Sequence, residues 1–412
     1  MTTIVASRQR HLLVLALLPF AAGFYLSYLF RTLNAIIADD LSRELALGPS
    51  ELGLLTSAYF LAMAAAQLPT GALLDRYGPR LVQSACLVIA AAGAGLFAIS
   101  PGIVGLVIGR AMIGLGVGTA LMSGIKAIAL WCPRDRQATM NGWLLMFGAL
   151  GAVTASTPAE RIVVQLGWRN MMIALSAMTL ALAAIMLLMV PEPSQMPPVQ
   201  KGSKSSIRRI IFDARFQRIA PLSALTIGTA WALQSLWAAA WLKHVDGLQR
   251  AEIVRHLLVM AIALGIGGLG LGWTADYWRR RGVAPETPLV GIATLSMLVQ
   301  LGLVLELPVP SYVSWSVVGM TGAATVLSYS ILSGYFPKEI SGLANGALNL
   351  LHVGTAFAIQ IAIGLIVDRW PSASPQETTE GYRTALSIAT TLQLTALTWF
   401  GVWSAALRPT VL

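Results

Sequence analysis

Residues 71–80 read GALLDRYGPR, and residues 272–282 read GWTADYWRRRG. Gly71 and Asp75 pair with Gly272 and Asp276 at a constant offset of 201, and Arg80 pairs with Arg281 at the same offset. A second match lies between 131–143, WCPRDRQATMNGW, and 335–347, YFPKEISGLANGA. Here Pro133, Asn141 and Gly142 pair with Pro337, Asn345 and Gly346 at an offset of 204. Two independent matches at nearly equal spacing mark an internal repeat, each copy filling half of the chain.

The segments flanking these loops are apolar. Of 412 residues, 56% are hydrophobic and only 11% charged, against roughly 25% charged in a soluble domain. So little charge cannot cover a water-facing surface, which excludes a soluble enzyme and a disordered chain. A helix needs about 20 mostly apolar residues to cross the hydrocarbon. Such runs are expected near 12–38, 51–74, 81–100, 103–131, 138–159 and 169–191, then near 217–242, 253–275, 287–307, 310–335, 341–367 and 382–407. They are too long and continuous for barrel strands. The first run follows Arg8, Arg10 and His11 but ends in no small-x-small cleavage site, so it reads as a membrane helix and not a signal peptide.

The expected fold is all-α: twelve transmembrane helices in two six-helix bundles related by a pseudo-twofold axis along the membrane normal, the arrangement of many secondary transporters. Residues 1–191 would form the first bundle, 192–216 a Pro/Ser/Lys linker and 217–412 the second. Arg208 and Arg209 in the linker could lie against anionic lipid. With the amino terminus inside, seventeen of the 28 Lys and Arg fall in inner segments and eight in outer ones, which places both termini in the cytoplasm. The net charge of +10 then follows from topology, not from a nucleic-acid partner, since no basic face collects it. Two cysteines offer neither a disulfide framework nor a Cys-rich metal site.

The first loop, G-x-x-x-D-R-x-G-x-R over Gly71, Asp75, Arg76, Gly78 and Arg80, resembles the signature of the major facilitator superfamily. The copy carrying Gly272, Asp276 and Arg280 resembles it more weakly, because Arg279 stands where the second glycine would be, so its turn is expected to differ. Arg110 with Gly114, Gly116 and Gly118, and Gly167-Trp168-Arg169, are similar to further motifs of that family. The resemblance implies a non-enzymatic carrier that works by alternating access. It also implies that Asp75 meets the start of span 11 near Ser341 and Asp276 the start of span 5. A helix N-terminus favours an anion. Arg110 would be a helix-packing or coupling residue.

Intramembrane charge marks function by default. All eighteen Asp and Glu fall in loops or near span ends, whereas Arg31, Arg110 and Lys126 lie within spans. A cavity holding only positive charge suits an anion. Arg31 sits in FYLSYLFRTLN with Ser27, Tyr28 and Asn34 at helical spacing. This stretch resembles the helix 1 arginine region of the organic-phosphate antiporters, where that residue grips an anionic substrate. Those carriers have a second arginine in helix 7. Span 7 here offers Trp231, Gln234, Trp237 and Trp241 instead, which favours a monocarboxylate or aromatic acid over phosphate. The other reading of Arg31 is a guanidinium snorkelling to the outer interface. Lys126 has the same two readings. On a straight helix it would face about 160° away from Arg110.

Span 11 places Asn345, Asn349, His352 and Gln360 roughly on one face, lining a cavity or bonding between helices. His352 is the mid-span group that titrates near neutral pH, so proton coupling would use it or the substrate's own acid group. His256 and Met260, one turn apart, could instead ligate Cu(I) as in a copper importer. A drug/proton efflux antiporter is a further alternative, but 148–162, GALGAVTASTPAERI, lacks the glycine pair of the export motif. No Ser/His/Asp set, H-E-x-x-H or P-loop appears. The expectation is uptake of a small organic anion by a monomer in a bacterial-type inner membrane, without a cofactor.

Overall fold

The computed structural model describes residues 2–132, 137–191, 204–370 and 375–406. The side chains of Asp75, Asp276 and Ser341 lie outside the described ones, as do Pro133, Arg134 and Arg136. Among the described residues every regular element is helical, as the hydrocarbon core requires of a chain that must satisfy its own backbone groups.

The first half of the chain forms α1 (Thr2–Leu45), α2 (Pro49–Ile99), α3 (Ile103–Val117), α4 (Ala120–Trp131), α5 (Gln137–Thr154) and α6 (Thr157–Met189). The short α7 (Lys204–Ile211) follows, then α8 (Ala214–Ala232), a π-helical turn (Leu233–Trp237), α9 (Ala238–His244), α10 (Arg250–Arg280) and α11 (Thr287–Val304). The remainder is α12 (Ser311–Thr321), a 3-10 turn (Gly322–Ala324), α13 (Thr325–Tyr335), α14 (Lys338–Val367) and α15 (Pro375–Ala406). Ten segments among the described residues are long and apolar enough to cross a membrane, and Met140–Thr154 is a shorter one. With the apolar 49–77 part of α2, each of the twelve expected spans has its helix.

Two turns fall at glycines between expected spans. Within α2 the chain turns at Gly78, between spans 2 and 3, where φ 75° and ψ 162° lie outside the range of ordinary side chains. Within α6 it turns at Gly167, just ahead of span 6, so that 157–166 continue span 5 past an interruption at Ala155–Ser156, before Pro158 in the first turn of α6. Spans 4 and 10 both break midway, at Gly118–Thr119 and at Gly322–Ala324.

The chain divides into two compact units, Met1–Leu47 with Ala58–Gln200, and Gly48–Ser57 with Lys201–Leu412. In the first, α1 packs mainly on α5, α4 and the α6 segment; in the second, α8 packs on α14 and α15, and α10 on α12. The repeat persists in this packing. A Cβ on Gly114 would collide with the carbonyl of Tyr59, and one on Gly319 with the carbonyl of Met260. Glycine at these two positions lets the fourth and tenth spans approach the second and eighth to backbone contact.

Candidate functional site

Two polar clusters, one in each unit, hold most of the candidate residues. In the first, α1 brings Arg31 and Tyr28 together one turn apart, with the Arg31 Cζ 3.8 Å from the Tyr28 ring centroid. Arg31 is only 6% exposed, so it points into the protein and does not snorkel. Arg110 of α3 is 1% exposed and donates through Nη1 to the Phe30 carbonyl at 2.9 Å and through Nη2 to Asn34 Oδ1 at 2.5 Å. Its Cζ lies 4.9 Å from the Phe97 ring centroid. Arg110 thus ties α3 to α1 and α2, in keeping with a packing role. Asn34, expected on a substrate-facing stripe with Arg31, is instead committed to Arg110. Helical spacing put the two polar residues near one another, but a neighbouring helix claimed one of them. The Tyr59 hydroxyl donates to the Ser27 carbonyl at 3.1 Å, completing the packing behind Arg31.

Lys126 is half-buried on α4. A cavity of about 270 Å³ lies in the first unit, lined by Phe20, Gly124, Ile128, Trp143, Leu144 and Phe147 among others. Neither Arg31 nor Lys126 borders it.

The loop motif has a mechanical reading. Gly71 is helical and exposed with open space around it, whereas Gly78 makes the turn. Arg76 is exposed, 5.1 Å from the Tyr77 ring centroid. Arg80 donates through Nη2 to the Leu187 carbonyl at 2.5 Å, capping the last turn of α6 where carbonyls lack helical partners. In the second copy Gly272 stays helical within α10, Arg280 is exposed, and the positive φ of 75° falls on Gly282. The turn therefore comes three residues later than in the first copy. Gly167 repeats the Gly78 conformation with φ 79° and ψ 158°. It aims Trp168 Nε1 and Arg169 Nε at the Glu44 carboxylate, at 2.7 and 2.9 Å. Arg169 Nη1 also donates to the carbonyls of Ala98 and Ser100, at 2.7 and 2.9 Å. One tripeptide so fastens the ends of α1 and α2.

In the second unit, His352 of α14 is fully buried. Its Nε2 lies 2.8 Å from Ser223 Oγ, which lies 2.7 Å from Ser328 Oγ. Trp231 and Tyr329 flank the imidazole, with ring centroids 5.9 and 5.8 Å away. The Tyr329 hydroxyl donates to Asn349 Oδ1 at 2.7 Å. Asn345 instead donates to Ser333 Oγ at 3.0 Å. Gln234 is buried in the π turn. That turn is closed by a bond from the Ala238 N–H to the Leu233 carbonyl, five residues back. The indoles of span 7 serve their own unit. Trp231 Nε1 donates to the Gly322 carbonyl at 3.1 Å and Trp241 Nε1 to Asp246 Oδ1 at 3.2 Å. Trp237 Nε1 lies 2.9 Å from the Gln360 side-chain amide, whose oxygen accepts from it when the amide is turned over.

The His256 ring stacks on Tyr312 with centroids 3.7 Å apart and its Nδ1 lies 2.8 Å from the Glu252 carbonyl, while Met260 meets Gly319 through its backbone. No group of three or more His, Cys, Asp or Glu that could hold a metal occurs among the described residues.

Sequence reasoning missed a cluster in which Arg218 of α8 and the Tyr335 hydroxyl of α13 both bond Glu286, which precedes α11. Arg215 adds a bond from Nη1 to the Tyr335 carbonyl at 2.7 Å. The three elements are far apart in sequence, and the available signal was an acid and an arginine at neighbouring span ends. Asp213 caps α8 by accepting from Arg215 N at 2.8 Å, and the Arg215 guanidinium holds its carboxyl below the usual range. Asp246 behaves oppositely: burial raises its pKa against the bonds from Trp241 and Ser311.

The Major Facilitator Superfamily profile matches residues 20–359. The chain is 23% identical over 383 residues to the "Probable galactarate/D-glucarate transporter GudP" of Escherichia coli strain K12, covering 82% of this chain and 83% of that one. It is 33% identical over 144 residues to the "Probable L-galactonate transporter" of the same organism, covering 34% and 31%. In structure it is similar to a bacterial homolog of the human lysosomal transporter Spinster, with a TM-score of 0.78 at 15% identity, covering 96% of this chain and 97% of that one. That likeness concerns the fold. With the profile spanning most of its length, and with twelve helical spans and a repeat visible in both sequence and packing, the chain belongs to the major facilitator superfamily.

Proposed function

We propose that this protein is a secondary transporter that takes up a small organic anion bearing a carboxylate, with Arg31 as the group that grips it. The observation that carries this reading is the burial of Arg31 inside the first unit, its guanidinium over the Tyr28 ring. A guanidinium can hold a carboxylate by two parallel hydrogen bonds, and removal from water strengthens both. The relatives named above for galactarate, D-glucarate and L-galactonate support the same substrate class. Tyr28 sets the plane of the guanidinium, while Asn34 serves Arg110. Lys126 on α4 is a second contact for the anion, and Trp231, Gln234 and Asn349 shape the polar interior of the second unit.

In this reading residues 1–191 and 217–412 act as the two moving bundles, joined by the linker 192–216. The protein works as a monomer in a bacterial inner membrane with both termini in the cytoplasm, and Asp75 and Asp276 bias the alternation between states. The test is uptake of labelled D-glucarate and L-galactonate into proteoliposomes by the wild type and by Arg31→Gln. Uptake by the wild type and its loss in the variant support the proposal. Equal uptake by both would overturn the assignment of Arg31, and export in place of uptake would favour the efflux alternative.

A further inference from the structure

We infer that His352 is the proton-binding group of the transport cycle, and that Nδ1 is the atom that takes the proton. This deepens the anion-uptake reading and rests on it for its role in transport.

A hydrogen-bond chain runs from His352 through Ser223 and Ser328 to the Ala324 carbonyl. Ser328 Oγ donates to the Ala324 carbonyl at 3.3 Å. Its lone pair therefore accepts from Ser223 Oγ, 2.7 Å away, and Ser223 in turn accepts from His352 Nε2 at 2.8 Å. A hydroxyl has one proton to give, and with that of Ser328 spent on Ala324 we assign the order from its far end. In that order the proton of the neutral imidazole sits on Nε2, and Nδ1 carries a bare lone pair. Nδ1 is buried and has no hydrogen-bond partner among the described residues. A buried acceptor left without a donor is costly and calls for an explanation.

What surrounds the ring is suited to a cation that comes and goes. Trp231 and Tyr329 approach the imidazole with ring centroids 5.9 and 5.8 Å away, at interplanar angles of 72° and 41°, so both π-systems neighbour any charge placed on the ring. The packed elements carry few groups that would compete for the proton. α8 has no titratable residue after Arg218, and α15 has none after Arg383. α13 contributes Tyr329 and, at its end, Tyr335; α7 contributes Lys204, with Arg208 and Arg209 exposed; α14 itself begins with Lys338 and Glu339. Of these, Tyr329 is the one in ring contact with His352.

The proton step is simple. A proton from the medium bonds to the Nδ1 lone pair, giving an imidazolium that keeps its Nε2–H on Ser223, and the same proton leaves from Nδ1 on the other side of the membrane. In this assignment the buried ring is neutral. Protonation belongs to a state in which Nδ1 meets water or the substrate's carboxylate, and proton binding is thereby linked to the conformational equilibrium.

Two measurements on the full-length protein in proteoliposomes test this. The first is D-glucarate uptake with and without an inward proton gradient. The ratio should exceed one in the wild type and fall to one in His352→Gln; an unchanged ratio in the variant overturns the inference. The second needs no substrate: tryptophan emission is titrated with pH, since an imidazolium beside Trp231 quenches it. The wild type should show a transition that is absent from His352→Gln and from Trp231→Phe. Ser223→Ala, which keeps the ring, should move the midpoint to lower pH, because Nε2–H loses its acceptor. A transition that survives in His352→Gln, or a midpoint that ignores Ser223, overturns the inference. A His352-dependent transition in a protein that does not carry D-glucarate would sink the substrate reading and leave the proton site standing. Gradient-independent D-glucarate uptake would do the reverse.

Discussion

Arg110 Nη2 and Asn34 Oδ1 are joined by a 2.5 Å hydrogen bond in the interior of the first unit, with both residues only 1% exposed. The pair makes Arg110 a fastener of α3 to α1. Replacing Asn34 by alanine would leave a buried charged donor without its acceptor, which costs about 1–3 kcal/mol. Asn34→Ala should lower the thermal midpoint of the purified protein, and Asn34→Asp, which restores an acceptor and adds a countercharge, should hold or raise it. Equal midpoints for the wild type and Asn34→Ala would show that the bond contributes nothing.

Arg31 should behave differently. Lysine keeps the charge but not the fork, so Arg31→Lys should reduce D-glucarate uptake by about tenfold or more while leaving the thermal midpoint within a few degrees. Tyr28→Phe preserves the ring beneath the guanidinium and should retain most uptake, whereas Tyr28→Ala should not. Initial-rate measurements at matched protein levels distinguish these outcomes.

The two glycines of the loop motif separate conformational need from helix propensity. At Gly78, φ 75° and ψ 162° suit glycine alone, and Gly78→Ala should cost about 1–3 kcal/mol. Gly71 is helical with nothing within 4 Å of an added Cβ. Gly71→Ala should therefore be neutral or stabilising by about 0.5–1 kcal/mol. The thermal midpoint of Gly78→Ala should fall, and that of Gly71→Ala should hold or rise.

Asp75 lies in the same motif. Asp75→Asn should leave folding intact and cut uptake, as expected of a charge that biases alternation and not of one that holds a helix. Uptake equal to that of the wild type at equal expression would remove the motif from the mechanism.

Asp246 and Asp213 give opposite pH dependences. Burial raises the Asp246 pKa, so the folded protein holds this proton to a higher pH than the unfolded chain. Its contribution to stability is present at low pH and is lost as pH rises through the raised value. Asp246→Asn, which can still accept from Trp241, should be more stable than the wild type at neutral pH, with the gap closing in acid. Arg215 lowers the Asp213 pKa. Its contribution is present above the unfolded carboxylate value and is lost as pH falls through the folded one. Asp213→Asn should therefore destabilise at neutral pH and not in strong acid. Midpoints across the carboxylate range check both signs.

The sequence alone reached the helical spans and the duplication, because each rests on composition or on a spacing that one sequence displays. It did not reach the partners of Asn34, of the span 7 indoles or of Glu286. Asn34 and Arg31 are neighbours in helical register, but only the arrival of α3 decides which of them Arg110 takes. Trp231, Trp237 and Trp241 look like the lining of an aromatic pocket until the carbonyl of Gly322 and the side chains of Gln360 and Asp246 occupy their N–H groups. The break at Gly118–Thr119 was hidden in a run of glycines, whose close approach to α2 has no signature in one helix read by itself.

The widened turn at Leu233–Trp237 stores one residue more than an ordinary helix would use there. Deleting one residue at this turn would restore the usual pitch and leave the helix on either side close to its present register, because five residues of a π turn and four of an α-helix cover nearly the same rotation. Trp241 would keep its place beside the Asp246 carboxylate. The same deletion a few residues away, in regular helix, would swing everything beyond it by about 100°, so a single-codon loss is absorbed at this turn and not in the α-helix that flanks it.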